Sequence, residues 1–163
     1  MNKQLLDYQL AGLIGFVAGM CAIPVLINLG YRNGFLLIAI PWIAAGCLMF
    51  ARLVGQILGH VHPAFIQLSR FGIVGVLNTA MDFGTLNMLS LLTGVTTGFL
   101  VGGYNLPGLA IAVVNSYAWN KFWVFPGGAK KGFHDIPQFI LITGVGLLLN
   151  SAIVIVMTTY LPL

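Results

Sequence analysis

Apolar residues in this 163-residue chain gather into long runs, and the few charged residues stand mostly between the runs or near their ends. Five runs approach or exceed the length of about 20 residues that a helix needs to cross a bilayer. They are segments A (9–29), B (35–58), C (68–92), D (106–125) and E (137–161). Pro24 lies within A and Pro41 within B. Prolines are tolerated in membrane helices because neighbours re-satisfy the freed carbonyl. Pro107 falls in the first turn expected for D, a favoured place. The link 31–34 is so short that A and B must form an antiparallel hairpin. Connection 93–105, rich in Gly and Thr, reads as a re-entrant stretch, and PGGAKKGFHDI after D reads as a basic turn. Run A is too long for a signal-peptide core and is expected to be a retained helix.

Composition strengthens this picture. The chain is 59% hydrophobic and 6% charged, whereas soluble domains are about 25% charged. With the N-terminus inside, Lys3, Arg52, Arg70, Lys121, Lys130 and Lys131 fall on the cytoplasmic side, and Arg32 alone falls outside. That asymmetry predicts an all-α membrane protein of five transmembrane helices, N-terminus inside and C-terminus outside. The net charge of +4 therefore reads as topology and lipid contact, not as nucleic-acid binding. Cys21 and Cys47 read as small apolar fillers. His60 and His62 have no third ligand of suitable type nearby, so no metal is expected, and no nucleotide fingerprint or activated nucleophile is present.

A faint repeat links the runs. Shifting the chain by 68 residues sets Phe71 on Phe139, Asn78 on Gly146 and Asp82 on Asn150; a shift of 69 sets Arg52 on Lys121. A–B, C–D and E thus read as hairpin-like units, the last without its second helix. Transporters often place their site between such repeats.

The polar exceptions inside the runs are the candidate site. Asn78 and Asp82, four residues apart, share a helix face. Asp82 lies 12 residues past Arg70, or about 18 Å along a helix, near mid-bilayer. A carboxylate there costs about 2.5–3.5 kcal/mol to insert and marks a functional site by default. The alternative is a protonated Asp bonded to a neighbouring helix. In D, Asn115, Trp119 and Phe122 form one stripe and Ser116, Asn120 and Trp123 the next, with Tyr117 one turn before Lys121. An ammonium among aromatics can hold a phosphate while rings face a sugar or an acyl chain. An interfacial aromatic belt with a snorkelling lysine accounts for Trp123, Phe125 and Lys121, but not for the deeper Asn115. Gly72, Gly75, Thr79 and Gly84 on C, with Gly144 and Gly146 on E, are expected to permit close helix packing.

RFGIVGVLNTAMDF, VVNSYAWNKFWVF and the following QFILITGVGLLLN resemble the GtrA-like family. The resemblance covers about residues 67–163 and leaves 1–66 as an N-terminal transmembrane hairpin. It implies a multi-pass protein of the bacterial cytoplasmic membrane, with no cofactor and no enzymatic activity, that helps move polyprenyl-phosphate-linked sugars. It also implies that Asn78, Asp82, Asn115, Asn120 and Lys121 inherit the family's role. The family typically has four helices, the last repeating the Asn-Lys-aromatic ending. Here that fourth helix is absent and A–B stands in front, so either the chain is a cut-down form of the family or A–B, or a second copy in a homo-oligomer, takes the vacant place. Helix B ends Ala51-Arg52 where the motif has Asn-Lys.

The expected substrate residues are Asn78, Asp82, Asn115, Asn120, Lys121, Arg70, Trp119 and Asn150. The lipid phosphate would sit near Lys121 and Arg70, and the sugar in a groove between C, D and E. A membrane glycosyltransferase is the expected partner. Two other readings use the same residues: a small proton-coupled exporter of hydrophobic cations working through Asp82, and a non-transporting anchor for a glycosyltransferase.

Overall fold

The computed structural model describes residues 3–94, 99–126 and 141, with the backbone alone for 99–106 and 109. The chain divides into two units, Met1–Pro126 and Gly127–Leu163. Of the second unit only Leu141, which is helical, is described. Asn150 and the rest of segment E therefore lie outside the described residues, as do Lys130 and Lys131.

The first unit is entirely helical among the described residues. It comprises α1 (Lys3–Asn28), α2 (Gly34–Gly59), α3 (Ala64–Thr93), α4 (Phe99–Trp119) and a π turn, Asn120–Val124. Helices α1, α2 and α3 are each long and apolar enough to cross a membrane. At 30 residues, α3 spans about 45 Å, more than the roughly 30 Å of hydrocarbon, so it tilts or protrudes.

The helix ends follow local chemistry. Helix α1 stops at Gly30, whose φ of +89° suits a residue without a side chain. There Gly30 N–H donates to Ile27 O at 3.0 Å and Tyr31 N–H to Leu26 O at 2.9 Å, a Schellman closure. The Asn33 side chain then caps α2 by accepting from Phe35 and Leu36 N–H. His62 Nδ1 accepts from Ala64 N–H at 3.2 Å at the start of α3. Gly94, with φ +72°, closes α3.

Segment D differs from expectation at both ends. The helix begins by Phe99, so 99–105, expected as part of the connection, are helical, and Pro107 sits inside α4 rather than in its first turn. Glycine and proline are more frequent in membrane helices than in soluble ones, so neither marks a helix boundary here. At the other end the α-helix gives way after Trp119 to the π turn, where Phe125 N–H reaches Asn120 O at 2.9 Å.

Helix α1 packs against both α2 and α3, and α3 packs against all its neighbours. The N-terminal hairpin is thus built onto α3. The core joins Ala11, Ile14 and Ala18 of α1, Ile73, Val74 and Leu77 of α3, and Trp123 and Val124 of the π turn. Small residues set the α1–α2 spacing. A methyl group at Gly15 would stand 2.5 Å from Ala44 O, and one at Gly19 would stand 2.5 Å from Pro41 Cα. This small-xxx-small contact lies on α1. Of the glycines singled out on α3, Gly84 packs against the Cys21 backbone as expected, while Gly72 and Gly75 meet nothing among the described residues, and Gly144 and Gly146 lie outside them.

Candidate functional site

Two groups of polar side chains interrupt this apolar unit. The deeper one lies between α3 and α4. Asn115 Nδ2 donates to Asn78 Oδ1 at 2.7 Å, and Trp119 Nε1 donates to Asn115 Oδ1 at 3.0 Å. Three expected site residues from two helices therefore form one hydrogen-bonded chain. Interhelical bonds of this kind contribute about 0.6–2 kcal/mol in membranes. One turn along α3, Asp82 faces Gly108 of α4, where a methyl group would stand 2.9 Å from Asp82 Oδ1. Gly108 thus lets α4 approach the carboxylate closely. Asp82 Oδ1 is buried and accepts no hydrogen bond among the described residues.

Nearer the end of α4, Asn120 Nδ2 donates to Ser116 O at 2.8 Å and to Ser116 Oγ at 3.1 Å, while its buried Oδ1 has no partner among the described residues. Lys121 Nζ donates to Tyr117 OH at 2.7 Å and stands 5.0 Å from the Tyr117 ring centroid. The lysine–tyrosine pairing expected from their spacing is present.

The second group is an ion cluster at the end of the unit where α1 begins. Asp7 Oδ2 accepts from Arg52 Nη2 at 2.9 Å and also from Arg70 Nη2, while Asp7 Oδ1 accepts from Trp123 Nε1 at 3.0 Å. Arg70 Nη1 donates to Trp123 O at 3.3 Å, and its guanidinium lies 5.9 Å from the Trp123 ring. One carboxylate therefore holds together α1, α2, α3 and the π turn. The π turn presents both polar groups of Trp123, indole N–H to Asp7 and carbonyl to Arg70. Such turns are frequent at functional sites. Trp119 packs edge-on against Trp123, with ring centroids 5.7 Å apart, and so links the two groups.

Asp7 was not among the expected site residues, and Arg52 was expected either as a topology signal or, with Arg70, Lys130 and Lys131, as part of a basic rim around an anionic headgroup. A clue was available. Arg52 lies inside an apolar run and needs a counter-charge in a low-dielectric setting. Of three carboxylates, Asp7 and Asp135 fall at that end by the expected topology, and of those two Asp7 lies near the start of the first helix. Arg70, expected beside Lys121 at a lipid phosphate, is instead engaged by Asp7 and Trp123.

A family model described as "GtrA/DPMS, transmembrane domain" matches residues 70–163. An uncharacterized membrane protein of Bacillus subtilis (strain 168), YngA, is 36% identical over 75 residues, covering 46% of this chain and 47% of that protein. The chain thus aligns with about half the length of that relative. No solved structure matches.

Proposed function

We propose, because this chain belongs to the GtrA/DPMS transmembrane-domain family, that it is a carrier or flippase component for a polyprenyl-phosphate-linked sugar used in cell-surface polysaccharide synthesis. On this reading the protein sits in the bacterial cytoplasmic membrane with its N-terminus inside and receives loaded lipid from a membrane glycosyltransferase. The observation that carries the proposal is the polar chain Asn78–Asn115–Trp119 beside Asp82, whose buried oxygen lacks a partner. Lipid cannot satisfy such groups, whereas sugar hydroxyls can. Lys121, held by Tyr117, is suited to attract the phosphate toward the membrane face.

Translocation of a labelled polyprenyl-phosphate sugar in proteoliposomes tests the proposal. Asp82→Asn keeps shape and hydrogen bonding and is expected to retain transport, whereas Asp82→Leu is expected to abolish it. Wild-type transport in a well-folded Asp82→Leu protein would sink the carrier reading and leave the anchor reading standing. Equal loss in both variants would instead require Asp82 to ionise.

A further inference from the structure

The Asp7–Arg52–Arg70 cluster is not satisfied by its own residues. Two guanidinium groups meet one carboxylate, so it carries a formal charge of about +1. Arg52 Nε, Arg52 Nη1 and Arg70 Nε are buried without a hydrogen-bond partner among the described residues, and Arg52 is only 3% exposed. Uncompensated charge and orphaned donors cost more in a low-dielectric interior than in water. Both deficits are met by one anion carrying a single charge and several acceptor oxygens. Guanidinium groups suit phosphate oxygens in particular.

We propose that this cluster is a seat for a singly charged phosphodiester, and that Asp7 sets it against a doubly charged phosphate monoester. A diester brings one negative charge and neutralises the cluster. A monoester brings about −1.5 to −2 at neutral pH and leaves excess negative charge beside Asp7. A sugar linked through phosphate to a polyprenyl chain is a diester, and the same lipid without its sugar is a monoester. The seat therefore distinguishes loaded from spent carrier lipid, an assignment that rests on the carrier reading above. An apolar groove lined by Phe65, Leu68, Phe71 and Phe125 flanks the same turns of α3 and the end of the π turn, and offers a place for an isoprenoid tail. Among the described residues, the charged groups converging on the seat are Asp7 from α1, Arg52 from α2 and Arg70 from α3, and Trp123 of the π turn carries no charge.

Equilibrium binding to the full chain in phosphatidylcholine nanodiscs tests this, with methyl citronellyl phosphate as the diester and citronellyl phosphate as the monoester. At pH 7.5 the diester is expected to bind about tenfold more tightly, a conservative size for the cost of taking a second charge out of water with no counter-charge to meet it. At pH 5.5, below the monoester's second pKa of about 6, the gap is expected to close. His62→Gln, at the groove, is expected to leave that pH dependence in place. Asp7→Asn is expected to reverse the preference toward the monoester, and Arg52→Gln to weaken binding of both. Equal binding of both probes by the wild type at pH 7.5, or unchanged affinity in Arg52→Gln, overturns the proposal even where Asp7→Asn does not fold. Dimethyl phosphate binding as tightly as the lipid diester would support the charge-selective seat and assign it to soluble phosphodiesters. Full competition by phosphatidylglycerol would assign it to bulk lipid and overturn its link to carrier lipid. Transport by a wild type lacking the charge preference would sink this inference alone. A charge preference without transport would sink the carrier reading alone.

Discussion

Replacing Asp7 by Leu and replacing Arg52 by Leu delete opposite ends of one ion pair, yet they should differ sharply in cost. Asp7→Leu removes the acceptor for Arg52, Arg70 and the Trp123 indole together, leaving two buried guanidinium groups with no counter-charge. Breaking a buried pair in this way costs about 3–5 kcal/mol. Arg52→Leu leaves a neutral Asp7–Arg70 pair with its Trp123 contacts intact. It loses one charge-assisted bond, worth about 1.5–3 kcal/mol, but removes two buried unpartnered donors whose desolvation costs about 1–3 kcal/mol each. The balance runs from about 1 kcal/mol of loss to about 4.5 kcal/mol of gain, so this variant is expected to cost little or to stabilise. Reversible unfolding in mixed micelles, followed by tryptophan fluorescence, measures both changes. The double variant should cost less than the sum of the singles, because only Arg70 is then left unpaired. Equal losses for the two single variants, or strict additivity in the double, would refute the idea that one carboxylate compensates an excess of positive charge.

Three further outcomes follow from other contacts. Gly15→Leu should separate α1 from α2 and destabilise by about 1–3 kcal/mol or more, whereas Gly75→Ala, facing open space, should change the same unfolding midpoint little. Asn78→Leu and Asn115→Leu should each lower stability by about 1 kcal/mol, and their double variant by less than the sum, since each single leaves the other amide short of a partner; additivity would show that they do not interact. A cysteine replacing Ala129 should react with an impermeant maleimide only in opened cells, and labelling from outside intact cells would overturn the N-inside topology.

Composition and run length sufficed to read a helical membrane protein and the A–B hairpin, and the spacing of Asn78 and Asp82 to set them on one face of α3. Each of these depends on distance along one helix or on a single transfer cost. The spacing of Tyr117 and Lys121 was equally legible, because residues four apart meet on any helix. Asp7 was not. Its partners lie 45, 63 and 116 residues away. Nothing local distinguishes a carboxylate that pairs across three elements from one left at a membrane edge. Helices that are apolar on nearly every side have no polar face to reveal their rotation, so the use of Gly15 and Gly19 between α1 and α2 could not be read from their spacing. The π turn also escaped detection, because a one-residue widening leaves no mark in composition. It is this turn that aims the indole of Trp123 at Asp7 and its carbonyl at Arg70. Long-range pairing and helix rotation emerge only when the helices pack together, and they separate the two asparagines that meet between α3 and α4 from the arginines that meet around Asp7.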